Sequence, residues 1–141
     1  MIKNYTSGNM VAIMEVDRHK VSSYGIVNVD NSDQDLVQIN QMVEKPSVEN
    51  APSNLAIIGR YILDHKVFKV LEKQERGTSH EIQLTDAISS QLDRVPCLGY
   101  KIKNERFDCG SKLGFLQANI SFALDRKDLN SDLNNWLKTL I

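Results

Sequence analysis

Glu44-Lys45-Pro46 sets a carboxylate beside an ammonium at the end of an apolar run. A carboxylate can accept hydrogen bonds from two sugar hydroxyls, and an ammonium can pair with a phosphate as a point charge. Strand alternation would send these two side chains to opposite sides, unless the strand end twists at Pro46. The competing reading is an exposed ion pair before a turn. The stretch Phe107-Asp108-Cys109-Gly110-Ser111-Lys112-Leu113-Gly114 is a second candidate. Asp108 could give one carboxylate to Mg²⁺, which favours one or two carboxylates plus phosphate oxygens. It could equally be satisfied by the amides of a helix start. Gly110 and Gly114 would let the backbone approach a ligand closely. In Tyr24-Gly25, a glycine opening a strand marks either a bulge or a place where something lies against bare backbone. Glu81-Ile82-Gln83-Leu84-Thr85-Asp86 reads as an amphipathic helix start, shaping a site at second hand.

The remaining reactive types form no recognisable site. Cys97 lies in an apolar run and reads as core. Cys109 has no histidine placed by sequence to activate it. His19, His65 and His80 are scattered, and no CxxC, HxH or HExxH occurs, which argues against zinc. Two cysteines in such a chain read as free thiols.

Strands and helices must position these residues. Met10–Val16 is a continuous apolar run, as in a strand covered on both faces. Tyr24–Val29 and Leu36–Glu44 read as a hairpin across the turn cluster Asp30-Asn31-Ser32-Asp33. In its second strand Val37, Ile39 and Val43 share one face and Gln38, Asn40 and Glu44 the other. Pro46 ends that strand and biases Lys45 toward extended backbone. Asn54–Leu63 is another buried strand, and Asp64 can cap a short helix through Val67, Phe68 and Leu71. Gly77 breaks the chain. Thr78 and Glu81 have capping-box spacing, opening a helix with Leu84, Ala87, Ile88 and Leu92 on one face. Val95–Ile102 is a strand. Ser111 caps a helix with Leu113, Leu116, Ile120 and Leu124 in register, and a last helix carries Leu129, Leu133, Trp136, Leu137 and Leu140. This order implies an α/β protein with a mixed sheet and flanking helices. A β-α unit would ordinarily precede Met10–Val16, so the chain is expected to be part of a larger fold.

Bulk composition narrows the classes of function. The chain has 141 residues, 41% of them hydrophobic and 25% charged, as in an ordinary globular domain. Its net charge of −1 offers no electrostatic footprint for nucleic acid or an anionic membrane. A phosphorylated ligand would have to be held by a few placed cations. No stretch reaches the roughly 18 apolar residues of a membrane span, and MIKNYTSGNM lacks the apolar core of a signal peptide. A cytoplasmic location is expected.

Taken in order, VSSYGIV, MVEKP, APSNLAIIGRYIL, HEIQLTDAI and FDCGSKLGFLQA make a longer pattern. It resembles the C-terminal half of the bacterial UTP–glucose-1-phosphate uridylyltransferases, from about Val11 to about Leu124. The resemblance implies a Rossmann-like nucleotidyltransferase fold, here partial. It implies that Glu44 holds glucose hydroxyls and that Lys45, the catalytic candidate, contacts the phosphate of glucose 1-phosphate. Gly25 would lie against the sugar, Tyr61 would line its pocket, and Asp108 would be one of two aspartates on Mg²⁺. The implied reaction makes UDP-glucose and pyrophosphate from UTP and glucose 1-phosphate.

The family's glycine-rich triphosphate loop has no counterpart here, since no G-x-G-T-R-like segment occurs. Ser79 and His80 stand where relatives usually carry glycines. Residues 1–141 are therefore expected to be the sugar-phosphate part of the domain. UTP would bind only with the absent N-terminal part, and this chain alone would be inactive. The alternatives are a thymidylyl- or cytidylyltransferase relative, and a non-catalytic oligomerisation and sugar-phosphate-binding module. A homo-oligomer is expected, through an unpaired Met10–Val16 edge or through helices around Trp136.

Overall fold

The computed structural model describes residues 1, 3, 5, 7–30, 34–74, 81–103 and 105–140. They form two compact units, Met1–Lys103 and Asn104–Ile141. The first unit holds five strands: β1 (Asn9–Glu15), β2 (Gly25–Val29), β3 (Leu36–Glu44), β4 (Leu55–Ile62) and β5 (Cys97–Lys101). It also holds a 3₁₀ helix (Arg18–Ser23) and two short helices, α1 (Lys66–Leu71) and α2 (Leu84–Ser89). The sheet is mixed, as expected, and the strand order is β1-β4-β2-β3-β5. β5 then pairs with β1 in parallel, closing the sheet on itself.

That closure overturns one expectation. β1 is not an unpaired edge: it bonds β4 on one side and β5 on the other. Met10, Val11, Ala12 and Ile13 are fully buried, as the apolar run implied. The chain passes through α1 and α2 before β5 returns beside β1, and a parallel pair needs such a crossover.

The main core joins Val11, Ile13, Val27, Ile39, Met42 and Ile57 to Val67 of α1 and to Ala87 and Ile88 of α2. A Cβ on Gly99 would come within 2.7 Å of Ile13 Cδ1, so glycine there lets the side chains of neighbouring strands meet over β5. Burial pushes the Cys97 thiol up to about 12, consistent with a core residue.

Both bulges of the sheet bear on the site. Asn28 pairs with Gln41 but Val29 pairs with Ile39, so Asn40 is the extra residue of β3. Its side chain bonds Asp30 at 2.6 Å. The bulge inverts the alternation expected for this strand. Met42 rather than Val43 joins Val37 and Ile39 in the core, and Glu44 follows Met42 in phase. On β4, Tyr61 pairs with Val11 and Ile57 with Ile13, so three residues of β4 oppose Ala12 alone. Gly59 takes a φ of +74° inside that bulge.

The helix expected from Thr78 begins only at Leu84, where α2 starts after an extended Gln83. Gly77 and Thr78 lie outside the described residues, as do 31–33 of the hairpin turn. The face predicted for α2 is correct: Leu84 and Leu92 pack with Ala87 and Ile88 against the core. At α1, Asp64 Oδ1 accepts the Lys66 N–H at 2.8 Å.

The second unit holds α3 (Lys112–Asp125) and α4 (Asn130–Leu137). Ser111 caps α3, its Oγ accepting the Gly114 N–H at 3.0 Å. Of the residues in register on this helix, Leu113, Leu116 and Ile120 are exposed, while Gly114 and Ala118 are buried. The segment before α3 turns back against Gly114 and reaches the ring of Phe122 instead. A Cβ on Gly114 would collide with the Asp108 carbonyl, and Phe107 meets Phe122 edge-on at 6.0 Å. No helix of the described residues is long and apolar enough to cross a membrane.

Candidate functional site

Gly25 opens β2 directly opposite Glu44, the last residue of β3. Paired residues of an antiparallel ladder point to the same face. With the β3 bulge, that face is the one carrying Met42 and Val27. Gly25 is therefore not a bulge residue. Its missing side chain has a local reason: a Cβ there would sit 3.0 Å from both Glu44 Oε2 and Thr85 Oγ1. Thr85, on α2, donates its hydroxyl to Glu44 Oε2 at 2.6 Å. Thr85 is buried and Glu44 half-buried.

Tyr61 packs against the same core cluster. Burial raises its phenol above the usual range, and the negative charge of Glu44 adds to the shift. Tyr61 and Glu44 thus share one electrostatic neighbourhood. The β4 bulge brings Tyr61 opposite Val11, a place that unbroken pairing would give to Gly59.

Lys45 departs from the extended backbone expected before proline. Its φ is +45°, in the left-handed region. The Lys45 N–H donates to the Tyr24 carbonyl at 3.0 Å, so the turn is tied to the strand opening at Gly25. The strand therefore twists sharply between Glu44 and Pro46. Lys45 is exposed and Pro46 buried.

The loop after Pro46 is held by a residue that sequence reasoning missed. Arg18 donates to the carbonyls of Val48, Ala51 and Ser53, each at 3.0 Å. Ser53 Oγ donates to the Val27 carbonyl at 2.5 Å and accepts the Leu55 N–H at 2.9 Å. Thr85 and Gly59 were missed too. Thr85 lies next to Leu84 on the predicted apolar face of α2, and a hydroxyl there needs a partner. Gly59 interrupts the apolar run of β4, the usual mark of a bulge.

Asp108 belongs to the second unit. Its Oδ1 accepts the Gly110 N–H at 3.0 Å. Its carbonyl accepts the Ser111 N–H at 3.1 Å and the Ser111 hydroxyl at 3.0 Å. Gly114 makes room for this turn of the chain itself, not for a ligand. Asp108 is exposed, with Cys109 beside it. Among the described residues no group of three or more His, Cys, Asp or Glu could hold a metal ion. The donors present fit one carboxylate's share of a Mg²⁺ shell, with phosphate oxygens supplying other ligands.

The Nucleotidyl transferase family profile matches residues 1–123. The UTP–glucose-1-phosphate uridylyltransferase of Komagataeibacter xylinus is 40% identical over 140 residues, covering 99% of this chain and 47% of that protein. A solved UDP-glucose pyrophosphorylase complexed with UDP-glucose matches with a TM-score of 0.76 at 41% identity, over 84% of this chain and 45% of its own. The UTP-bound enzyme from Acinetobacter baumannii matches with a TM-score of 0.80 at 36% identity, over 95% of this chain and 46% of its own. The chain spans about half the length of the curated relatives it matches.

Proposed function

The chain belongs to the nucleotidyl transferase family, and on that premise we propose that it is the C-terminal, sugar-phosphate part of a cytoplasmic UTP–glucose-1-phosphate uridylyltransferase. In the proposed reaction a phosphate oxygen of glucose 1-phosphate attacks the α-phosphorus of UTP. The bond from that phosphorus to the β-phosphate bridging oxygen breaks, and pyrophosphate leaves with the electron pair. UDP-glucose is the other product. No covalent enzyme intermediate is required, so positioning and charge neutralisation carry the catalysis.

The observation that carries this reading is the gathering of Gly25, Glu44 and Tyr61 on one face, with Lys45 at the strand end. Glu44 accepts from glucose hydroxyls. Bare backbone at Gly25 lies against the ring, and Tyr61 lines its side. Lys45, the catalytic residue, neutralises the phosphate that becomes the nucleophile. Asp108 would give one carboxylate to the divalent metal, Mg²⁺ in this reading, and bound Mg²⁺ would offset charge on the phosphate oxygens. The glycine-rich triphosphate loop lies outside these 141 residues, so UTP binds only when that part is supplied.

Calorimetric titration with glucose 1-phosphate, with and without Mg²⁺, tests the reading. The wild-type chain is expected to bind and Lys45→Ala to lose binding. Absence of binding by the wild type would overturn the assignment of these residues as a formed half-site.

A further inference from the structure

We propose that Thr85 is a positioning residue: its hydroxyl commits one oxygen of the Glu44 carboxylate and leaves the other for a ligand hydroxyl. The choice of ligand rests on the reading above. The positioning rests on geometry alone.

A threonine hydroxyl has one proton, and here it goes to Glu44 Oε2 at 2.6 Å across 41 residues of sequence. Thr85 is 6% exposed, so water does not compete freely for that proton. The bond is charge-assisted, which makes it short and directional. It removes rotamer freedom that a ligand would otherwise have to remove on binding. Gly25 is part of the arrangement, because a Cβ there would press on both atoms of the bond.

A second hydroxyl of the same helix reaches β3 without touching Glu44. Ser89 Oγ donates to the Met42 carbonyl at 3.3 Å. Thr85 and Ser89 are four residues apart on α2, an axial rise of about 6 Å. Glu44 and Met42 are two residues apart on β3, a rise of about 6.6 Å. The two spacings match, so α2 lies along β3 with one hydroxyl per contact. The contacts differ in kind. Ser89 meets a backbone carbonyl whose position the strand already fixes. Thr85 meets a carboxylate that can turn about its own side-chain bonds.

The test combines crystal structures with glucose 1-phosphate titrations of the full chain and its variants. Thr85→Val is expected to move the Glu44 carboxylate and to weaken glucose 1-phosphate binding by about tenfold, as for a lost orienting hydrogen bond. Thr85→Ser should restore both carboxylate and affinity. Thr85→Cys, with a weaker donor, should fall between them. Ser89→Ala should lower the melting temperature while leaving carboxylate and affinity unchanged. A carboxylate that stays in place in both Thr85→Val and Thr85→Cys would overturn the proposal, as would unaltered affinity in both. A wild type that fails to bind glucose 1-phosphate, with a displaced carboxylate in Thr85→Val, would support the positioning and reject only the ligand.

Discussion

Lys45 has a backbone conformation that a side chain with a Cβ ordinarily avoids, at a cost of about 1–2 kcal/mol. Such residues persist where the surroundings over-determine them, and they cluster at functional sites. Here the surroundings are the Tyr24 carbonyl, which takes the Lys45 N–H, and the buried ring of Pro46. If the ammonium is the reason lysine stands there, stability and binding should separate on substitution. Lys45→Gly is expected to be more stable than Lys45→Ala by about 1 kcal/mol, because only glycine enters this region without strain. Both variants should lose glucose 1-phosphate binding to the same degree. Denaturant unfolding beside calorimetry checks this. A glycine variant no more stable than the alanine variant would mean that the turn is relaxed and the lysine unconstrained.

The strands carry the site through their irregularities. A regular β3 would turn Glu44 toward the solvent face, and a regular β4 would put Gly59 opposite Val11. The one extra residue on β3 turns Glu44 to the face of Met42, and the two extra residues on β4 leave Tyr61 on its face but carry it opposite Val11. The two glycines of this arrangement serve different needs. A Cβ at Gly59 would meet nothing within 4 Å, so Gly59→Ala should cost only the left-handed penalty of about 1 kcal/mol. A Cβ at Gly25 would press on Glu44 and Thr85, so Gly25→Ala should also disturb the carboxylate and weaken sugar-phosphate binding. Melting curves and titrations of the two variants separate these effects. Equal loss of binding in both would show that Gly59 acts on the site beyond its own backbone.

Much of this layer is legible in the residues alone. The bounds of β3 coincide with the run from Leu36 to Glu44, and the buried face of α2 follows from the spacing of Leu84, Ala87 and Ile88. Gly25 and Glu44 are directly paired, and the charge of Glu44 reaches Tyr61. What period cannot show is a change of phase. Asn40 looks like any outward polar residue until its pairing skips. The bond from Thr85 to Glu44 is invisible for a different reason, since it joins elements 41 residues apart and neither residue's neighbours announce it. In the second unit, the leucine register of α3 does not show the covered face, because the smallest residues, not the largest, mark it.

Closure of the sheet changes what the whole molecule can do with other copies of itself. An unpaired β1 would have offered backbone donors and acceptors to a second chain. With β4 and β5 on its two sides and Met10–Ile13 fully buried, β1 offers neither. The core cluster is drawn entirely from Met1–Lys103. The second unit instead exposes Leu113, Phe115, Leu116 and Phe122 on α3, Trp136 on α4 and Leu140 just beyond it. Self-association is therefore expected to run through α3 and α4, with a second copy of the chain as the partner. Sedimentation velocity at rising concentration should show the full chain associating and a chain ending at Lys103 remaining monomeric. The shortened chain should also unfold in one cooperative transition by circular dichroism, since all five strands and the core lie within it. Association of the shortened chain as strong as that of the full one would place the contact on the sheet unit and reject the helical route. A shortened chain without a cooperative transition would show that the closed sheet needs the helices to hold its core.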